Sequence, residues 1–196
     1  MSGVQSLSGP PMKDLTIRKV TTKDFDLFYP FFTKSIKDQF KQFTSAVKEL
    51  YSTGEYAELT IKKDISNKKK NLLLAFHNNT IVGYLLVSKP YGGVGFADWL
   101  AVDPSFQKHG IATSLLSLWE KDIFKEGGHV AQLWTSKHNI PFYKNRGYIL
   151  IGEFPQAWFG LDYYHFYKSL AEPEEKNYLR EYLSKKKINS KKRSKK

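Results

Sequence analysis

Residues 100–112 read Leu-Ala-Val-Asp-Pro-Ser-Phe-Gln-Lys-His-Gly-Ile-Ala, and their order suits chemistry. An apolar strand ends at Asp103-Pro104, a polar turn follows, and a helix opens at Gly110. The first amides of a helix have no carbonyl partner inside it. The helix dipole adds roughly half a positive charge at that end. Such a turn can hold a phosphate or pyrophosphate. Gly110 lets backbone and ligand approach closely, and Ala112 is small for the same reason. Lys108 and His109 add side-chain donors. The same strand–glycine–helix order also serves plain packing in many α/β proteins, so by itself it leaves both readings open.

Other chemistries find little support. The chain has no Cys, which removes a disulfide framework, a thiolate metal site and a cysteine nucleophile. The five His (His77, His109, His129, His138, His165) show no metal-ligand spacing, so no metal is expected. Neither a Gly-x-Ser-x-Gly elbow nor a Gly-Lys-Ser/Thr phosphate loop occurs.

The elements that must position the turn follow from periodicity. Leu15 to Val20 alternates as a strand. Thr21, Thr22 and Asp24 are candidate caps for helical spacing that runs to Tyr51, with Pro30 expected to divide or kink it. Gly54 to Lys70 is ambiguous, with a short helix or strand near Leu59–Ile65. Leu72–Phe76 and Ile81–Val87 flank Asn78-Asn79, two residues that tolerate the positive φ of a tight hairpin. Pro90, Gly92 and Gly93 end that meander, and Val94–Val102 is another strand. Ala112, Leu115, Leu116, Trp119 and Ile123 form one helical face, ended by Gly127-Gly128. His129–Trp134 is then a strand and Asn139–Asn145 a short helix. Ile149–Ile151 and Phe159–Tyr167 close the sheet. The order is mixed, an α/β chain around one sheet.

Gln107-Lys108-His109-Gly110-Ile111-Ala112 resembles the Gln/Arg-x-x-Gly-x-Gly/Ala signature of the GCN5-related N-acetyltransferase (GNAT) superfamily. A Leu-Ala-Val strand and Asp-Pro precede it, as in that family. Asn139-Ile140-Pro141-Phe142-Tyr143-Lys144-Asn145-Arg146-Gly147-Tyr148 resembles the second motif, in which a Tyr stands four residues before Gly. The resemblance covers roughly Leu15 to Leu170. It departs from the doubled glycine at Ala112, a common variant.

The resemblance implies an acyl-CoA N-acyltransferase fold: a central twisted, mostly antiparallel sheet flanked by helices, with a V-shaped split between central strands. It also implies acetyl-CoA as co-substrate. The amides of Gln107, Lys108, His109, Gly110, Ile111 and Ala112, with Thr113, would hold the pyrophosphate. The Leu100-Ala101-Val102 strand would bind the pantetheine arm through the backbone of Leu100 and Val102, and an amide near Leu100 would face the thioester carbonyl. Asn139 would bond the arm from the far side of the split. Tyr143 would be the general acid for the departing thiolate, against the plainer reading of one more packed aromatic. Asp98 would be the base, directly or through water, against the plainer reading of a solvent-facing acid. His138, Glu153 and Asp162 are alternative bases. Trp158-Phe159 and Tyr163-Tyr164 are sheet packing, or the wall of a pocket for an apolar or cationic amine.

Composition bounds the rest. The chain has 196 residues, 31 Lys+Arg and 19 Asp+Glu, for a formal charge of +12. Eight of the bases fall in the last twelve residues, which leaves 23 bases against 19 acids elsewhere. A dense block of like charge is expected to be disordered. It reads as a solvated tail or as a weak contact for nucleic acid or ribosome. The expected organisation is a leader over 1–12, an acetyltransferase domain over 13–170, and an extension over 171–196. The absence of a signal-like start and of a membrane-length apolar run points to a cytoplasmic protein, monomer or dimer. The acceptor is a primary amine, on a protein or a small molecule. The rival is a CoA-binding, non-catalytic module tethered to RNA by the tail.

Overall fold

In the computed structural model, which describes residues 14–193, seven strands form one sheet. Leu15–Lys19 (β1), Lys70–His77 (β2), Thr80–Tyr91 (β3) and Val94–Val102 (β4) run as an antiparallel meander. Val130–Thr135 (β5) pairs parallel with β4. Ile149–Phe154 (β6) and Tyr163–Ser169 (β7) complete the order β1-β2-β3-β4-β5-β7-β6. The Asn78-Asn79 turn has φ of 48° and 63°, the left-handed pair that a two-residue hairpin with right-twisted strands requires. β7 starts four residues later than expected, because Phe159 and Gly160 take φ of 60° and 72° and make a turn instead of a strand. Pro90 lies inside β3 rather than at its end; Gly92-Gly93 alone makes the turn.

Both faces of the central strands are covered, which is why β2 and β3 read as near-continuous apolar runs. One layer is Phe25–Gln39 (α1), Ser45–Thr53 (α2) and Glu58–Ser66 (α3). Its core joins Phe28, Phe32 and Ile36 to Leu72, Leu74, Tyr84 and Leu86. The other layer is Ile111–Lys125 (α4) and Ile140–Lys144 (α5). There Leu115, Leu116, Trp119 and Ile123 meet Leu73, Ala75, Leu85 and Val87. Pro30 does not divide the first helical stretch: α1 runs through it, and the break falls at residues 40–44. Thr44 caps α2 there by accepting from the Val47 amide at 3.3 Å. Pro30 is the sixth residue of α1, past the first-turn amides that lack a partner, so the helix gives up the bond to the Asp26 carbonyl, and the burial of Phe28, Phe32 and Ile36 on either side holds it together. The ambiguous segment is helix α3, with Ile61 buried.

Glu175–Tyr178 (α6) and Arg180–Arg193 (α7) follow the sheet. The Arg180 guanidinium donates to the Lys125 carbonyl at 3.2 Å, and Lys89 pairs with Glu181 at 2.8 Å. The backbone is thus helical over most of the stretch where dense positive charge suggested no fixed structure; Lys and Arg are good helix formers. Residues 1–13 and 194–196, which include the expected leader, lie outside the described residues. Among the described residues, no helix is long and apolar enough to cross a membrane.

An ion pair between a half-exposed Arg18 and a buried Asp24 joins β1 to the start of α1. The Asp24 carboxylate accepts from both Arg18 nitrogens at 2.6 and 2.7 Å, and from the Thr21 amide and hydroxyl at 2.7 Å each. These bonds, led by Arg18, hold the carboxyl far below the usual carboxylate range against the opposing effect of burial. A depressed folded pKa contributes stability above the unfolded value and loses it as pH falls. Asp24→Asn is expected to cost about 2 kcal/mol at neutral pH. The deficit should shrink below about pH 4, where the wild-type carboxyl begins to protonate in the unfolded chain. Urea unfolding of both proteins across that range checks this.

Candidate active site

The site begins with one extra residue. In the β3–β4 ladder Leu86 faces Trp99, while the next residue, Val87, faces Ala97, so Asp98 is a bulge. A bulge reverses the alternation of a strand. Ala97 accordingly packs in the α4 layer, whereas Trp99 and Ala101 pack in the α1–α3 layer. The β4–β5 pairing stops at the same place, with Ala97 opposite Leu133 as its last pair. Beyond it, Asp98–Val102 keeps only β3 as a partner, which opens the V-shaped split.

The direction of the free backbone groups follows from one bond. The Asp103 amide donates to the Val82 carbonyl at 2.9 Å, in the register that continues through Val102–Gly83 and Ala101–Tyr84. Antiparallel ladders alternate hydrogen-bonded and non-bonded pairs. Trp99, Ala101 and Asp103 therefore bond to β3, and the amides and carbonyls of Leu100 and Val102 face away from it, into the split. Ala101, between them, has its backbone turned to Tyr84 and its side chain buried.

The turn after β4 closes the wide end of the split. Lys108 and Gly110 take φ of 66° and 79° and bring the chain round to the start of α4. Gln107 donates from Nε2 to the Val102 carbonyl at 3.2 Å. Among the described residues, no acceptor takes the amides of Lys108, His109, Gly110, Ile111, Ala112 or Thr113. Six successive backbone donors thus lack an acceptor where the helix dipole is positive. Arg146 adds charge beside them. Its Nε and Nη2 donate to Thr113 Oγ1 at 2.8 and 2.5 Å, its Nη1 donates to the Phe142 carbonyl, and it lies 3.6 Å from the centre of the Phe142 ring. Burial lowers its pKa and Tyr143 opposes the fall, and among the described residues no carboxylate pairs with it. Sequence reading gave Arg146 no role, because its contact to Thr113 spans 33 residues.

A cavity of about 370 Å³ runs through the split and opens on the α1–α3 face. Leu100, Leu133, Thr135, Asn139 and Tyr143 line its inner part. Asn139 donates from Nδ2 to Thr135 Oγ1 at 3.0 Å. Tyr143 is 7% exposed, and burial pushes its hydroxyl well above the ordinary tyrosine value, so it stays protonated as a donor. Asp98 is on the wall with its side chain 7% exposed. It takes a hydrogen bond from the Ser88 hydroxyl at 3.0 Å and an ion pair from Lys70 at 3.1 Å. Burial raises its pKa, and Lys70 opposes the rise. Asp98 is therefore neither an edge acid nor free in solvent, but a buried, paired carboxylate.

The other candidate bases are placed elsewhere. His138 is exposed and sits 3.1 Å from the Ser136 hydroxyl. Glu153 accepts from the Tyr164 hydroxyl at 2.8 Å, and Asp162 accepts from the Gln156 amide at 2.9 Å. None of the three lines the cavity. The aromatic-rich segment divides. Trp158 and Tyr163 line the cavity, Phe159 packs on Tyr51, and Tyr164 enters the core on the α4 side. Trp99 anchors the outer wall, with the rings of Phe40, Tyr51 and Tyr56 at 5.0, 5.1 and 5.3 Å. Glu55 also lines the cavity and carried no signal in the sequence. Among the described residues, no group of three or more His, Cys, Asp or Glu is arranged to hold a metal ion.

Known proteins with this arrangement share the expected fold. The chain resembles the solved PaiA N-acetyltransferase from Thermoplasma acidophilum in complex with coenzyme A, at 19% identity and a TM-score of 0.67, over 80% of this chain and 99% of that one. It also resembles an acetyltransferase of the GNAT family from Streptococcus pneumoniae (21% identity, TM-score 0.64, 80% and 99% covered). A third is an aminoglycoside 6'-acetyltransferase type Ii (19%, TM-score 0.63, 81% and 99%). At these identities the likeness speaks for the fold alone. No curated protein matches the sequence. The model of the acetyltransferase (GNAT) family matches residues 32–148, a stretch that contains the bulge, the split, the glycine-capped helix and Tyr143. The chain belongs to the GNAT family of acetyltransferases.

Proposed function

We propose that this protein transfers an acetyl group from acetyl-CoA to a primary amine by direct attack while both substrates are bound. One observation carries the reading. The strand edge at Leu100 and the Val102 amide, which neither β3 nor β5 pairs, leads directly into six acceptor-free amides at the start of α4. A long ligand with an amide-bearing arm and a pyrophosphate at its end meets both needs: the arm adds a strand to the edge, and the phosphates neutralise the helix end. Coenzyme A has that form and supplies an activated thioester carbonyl. The proposed catalytic unit is residues 13–170.

Each residue then has a task. Asn139, across the split from β4, bonds the arm from the other side. The free amide at Leu100 meets the charge that develops on the carbonyl oxygen, a contribution of about 3 kcal/mol where such a donor is preplaced. Asp98, through Ser88 or water, receives the proton that the attacking ammonium must lose. Tyr143 donates its proton to the sulfur as the carbon–sulfur bond breaks. The nitrogen–carbon bond forms in the same encounter, so no covalent enzyme intermediate is required. Holding both reactants in one cavity supplies much of the acceleration.

Three outcomes test this. Thiol release from acetyl-CoA with a panel of amines should depend on the amine, and Gly110→Glu should abolish it by placing a carboxylate in the phosphate cradle. Tyr143→Phe should lower kcat about 100-fold with little change in KM for acetyl-CoA, whereas Arg146→Met should chiefly raise that KM. In a carboxyl NMR titration, Asp98 should titrate above the ordinary value of about 4, and Lys70→Met should move it further up, since the Lys70 cation holds it down.

A further inference from the structure

The outer half of the cavity has a chemistry of its own. Tyr51, Tyr56, Trp99, Trp158 and Tyr163 present aromatic surface to it. Such surface accepts methylene groups and attracts cations. Two carboxylates share this wall, and their surroundings differ. Asp98, beside the split, is neutralised by Lys70. Glu55, in the turn between α2 and α3, has no ion pair with any Lys or Arg among the described residues. The turn is held by backbone bonds, from the Tyr56 amide to Tyr51 and from the Ala57 amide to Gly54, at 3.1 and 3.0 Å. Tyr56 is buried beside Trp99 and fixes the next position in the chain. Glu55 is thus a rigidly based, unneutralised anion at an aromatic mouth. It is near enough to make ionisation of Asp98, Tyr51 and Tyr56 harder.

We infer that the acceptor is a small aliphatic diamine or polyamine, and that Glu55 binds the ammonium that does not react. The inference rests on the acetyl-transfer reading. The reacting amine lies at the split and gives its proton toward Asp98. The methylene chain crosses the aromatic wall, and the remote ammonium keeps its charge and pairs with Glu55. A cavity of about 370 Å³ suits a small molecule better than a flat protein surface. A paired carboxylate at the split and an unpaired one at the mouth, joined by aromatic surface, match an amine that loses its proton at one end of an apolar chain and an ammonium that keeps its charge at the other. Acetylation removes one of those charges, which weakens product binding and favours release.

The test compares three acceptors with the full chain: butylamine, diaminobutane and a lysine-containing peptide. Initial rates of thiol release are measured for wild type and Glu55→Gln. Diaminobutane should have a KM about fivefold or more below that of butylamine. Glu55→Gln should remove this preference by raising the diamine KM alone, with kcat, the butylamine constants and the KM for acetyl-CoA unchanged. Equal KM values for butylamine and diaminobutane in wild type would overturn the inference and leave acetyl transfer standing. So would a peptide preferred over both, or an equal effect of Glu55→Gln on both amines. No transfer to any amine, with acetyl-CoA still bound, would overturn the transfer reading itself.

Discussion

The bulge at Asp98 is the constraint on which the site depends. Inserting one residue opposite β3 lets Ala97 and Trp99, two positions apart, face opposite layers. Trp99 can then sit at the centre of the α1–α3 aromatics while Ala97 stays under α4. The same distortion ends pairing with β5, because two strands stay hydrogen-bonded only while their backbones run together. What remains is an unpaired strand edge inside a protein rather than at its rim. Buried backbone groups without partners cost about 1–3 kcal/mol each. An edge of this kind is worth keeping only if something completes it.

The two helical layers serve this opening from opposite sides. α4 brings its positive end to one mouth of the split, with Gly110 permitting the left-handed turn that aims the amides. Arg146, fixed by Thr113 and Phe142, adds a cation whose charge no carboxylate cancels. The α1–α3 layer brings rings and Glu55 to the other mouth. Positive charge thus gathers at one end of the split and the unpaired Glu55 at the other. The chain's overall charge of +12 conceals that polarity, since eight of its bases lie in the last twelve residues. The body of the protein is close to balanced, and the arrangement of charge matters more than its sum.

Local signals were legible wherever a single segment decides the outcome. Asn78-Asn79 specified its hairpin because few residue pairs tolerate two left-handed conformations in a row. The face of α4 was legible because burial on one side of a helix imposes a fixed spacing. The family motif around Gly110 was legible because the turn needs a glycine at one point. Pro30 misled, since the local cost of a proline inside a helix was outweighed by the core that Phe28, Phe32 and Ile36 build across it. Phe159 misled as well, because an aromatic residue favours strands only until neighbouring turn residues claim it.

The sequence by itself determined the family, the order of elements, the glycine turn before α4 and the positions of Tyr143 and Asp98 along the chain. These rest on short-range patterns that survive without knowledge of neighbours. Only the tertiary structure decided what those residues meet. Asp98 finds Lys70 and Ser88 because β2 and β3 run beside the bulge, and Arg146 finds Thr113 because α5 leads back to the start of α4. Glu55 reaches the cavity because α2 and α3 fold over Trp99. Ala101 pairs with Tyr84 because strand alternation turns its backbone to β3. Charge pairing, burial and the direction of backbone groups depend on distances between segments far apart in sequence, and no spacing along the chain encodes those distances.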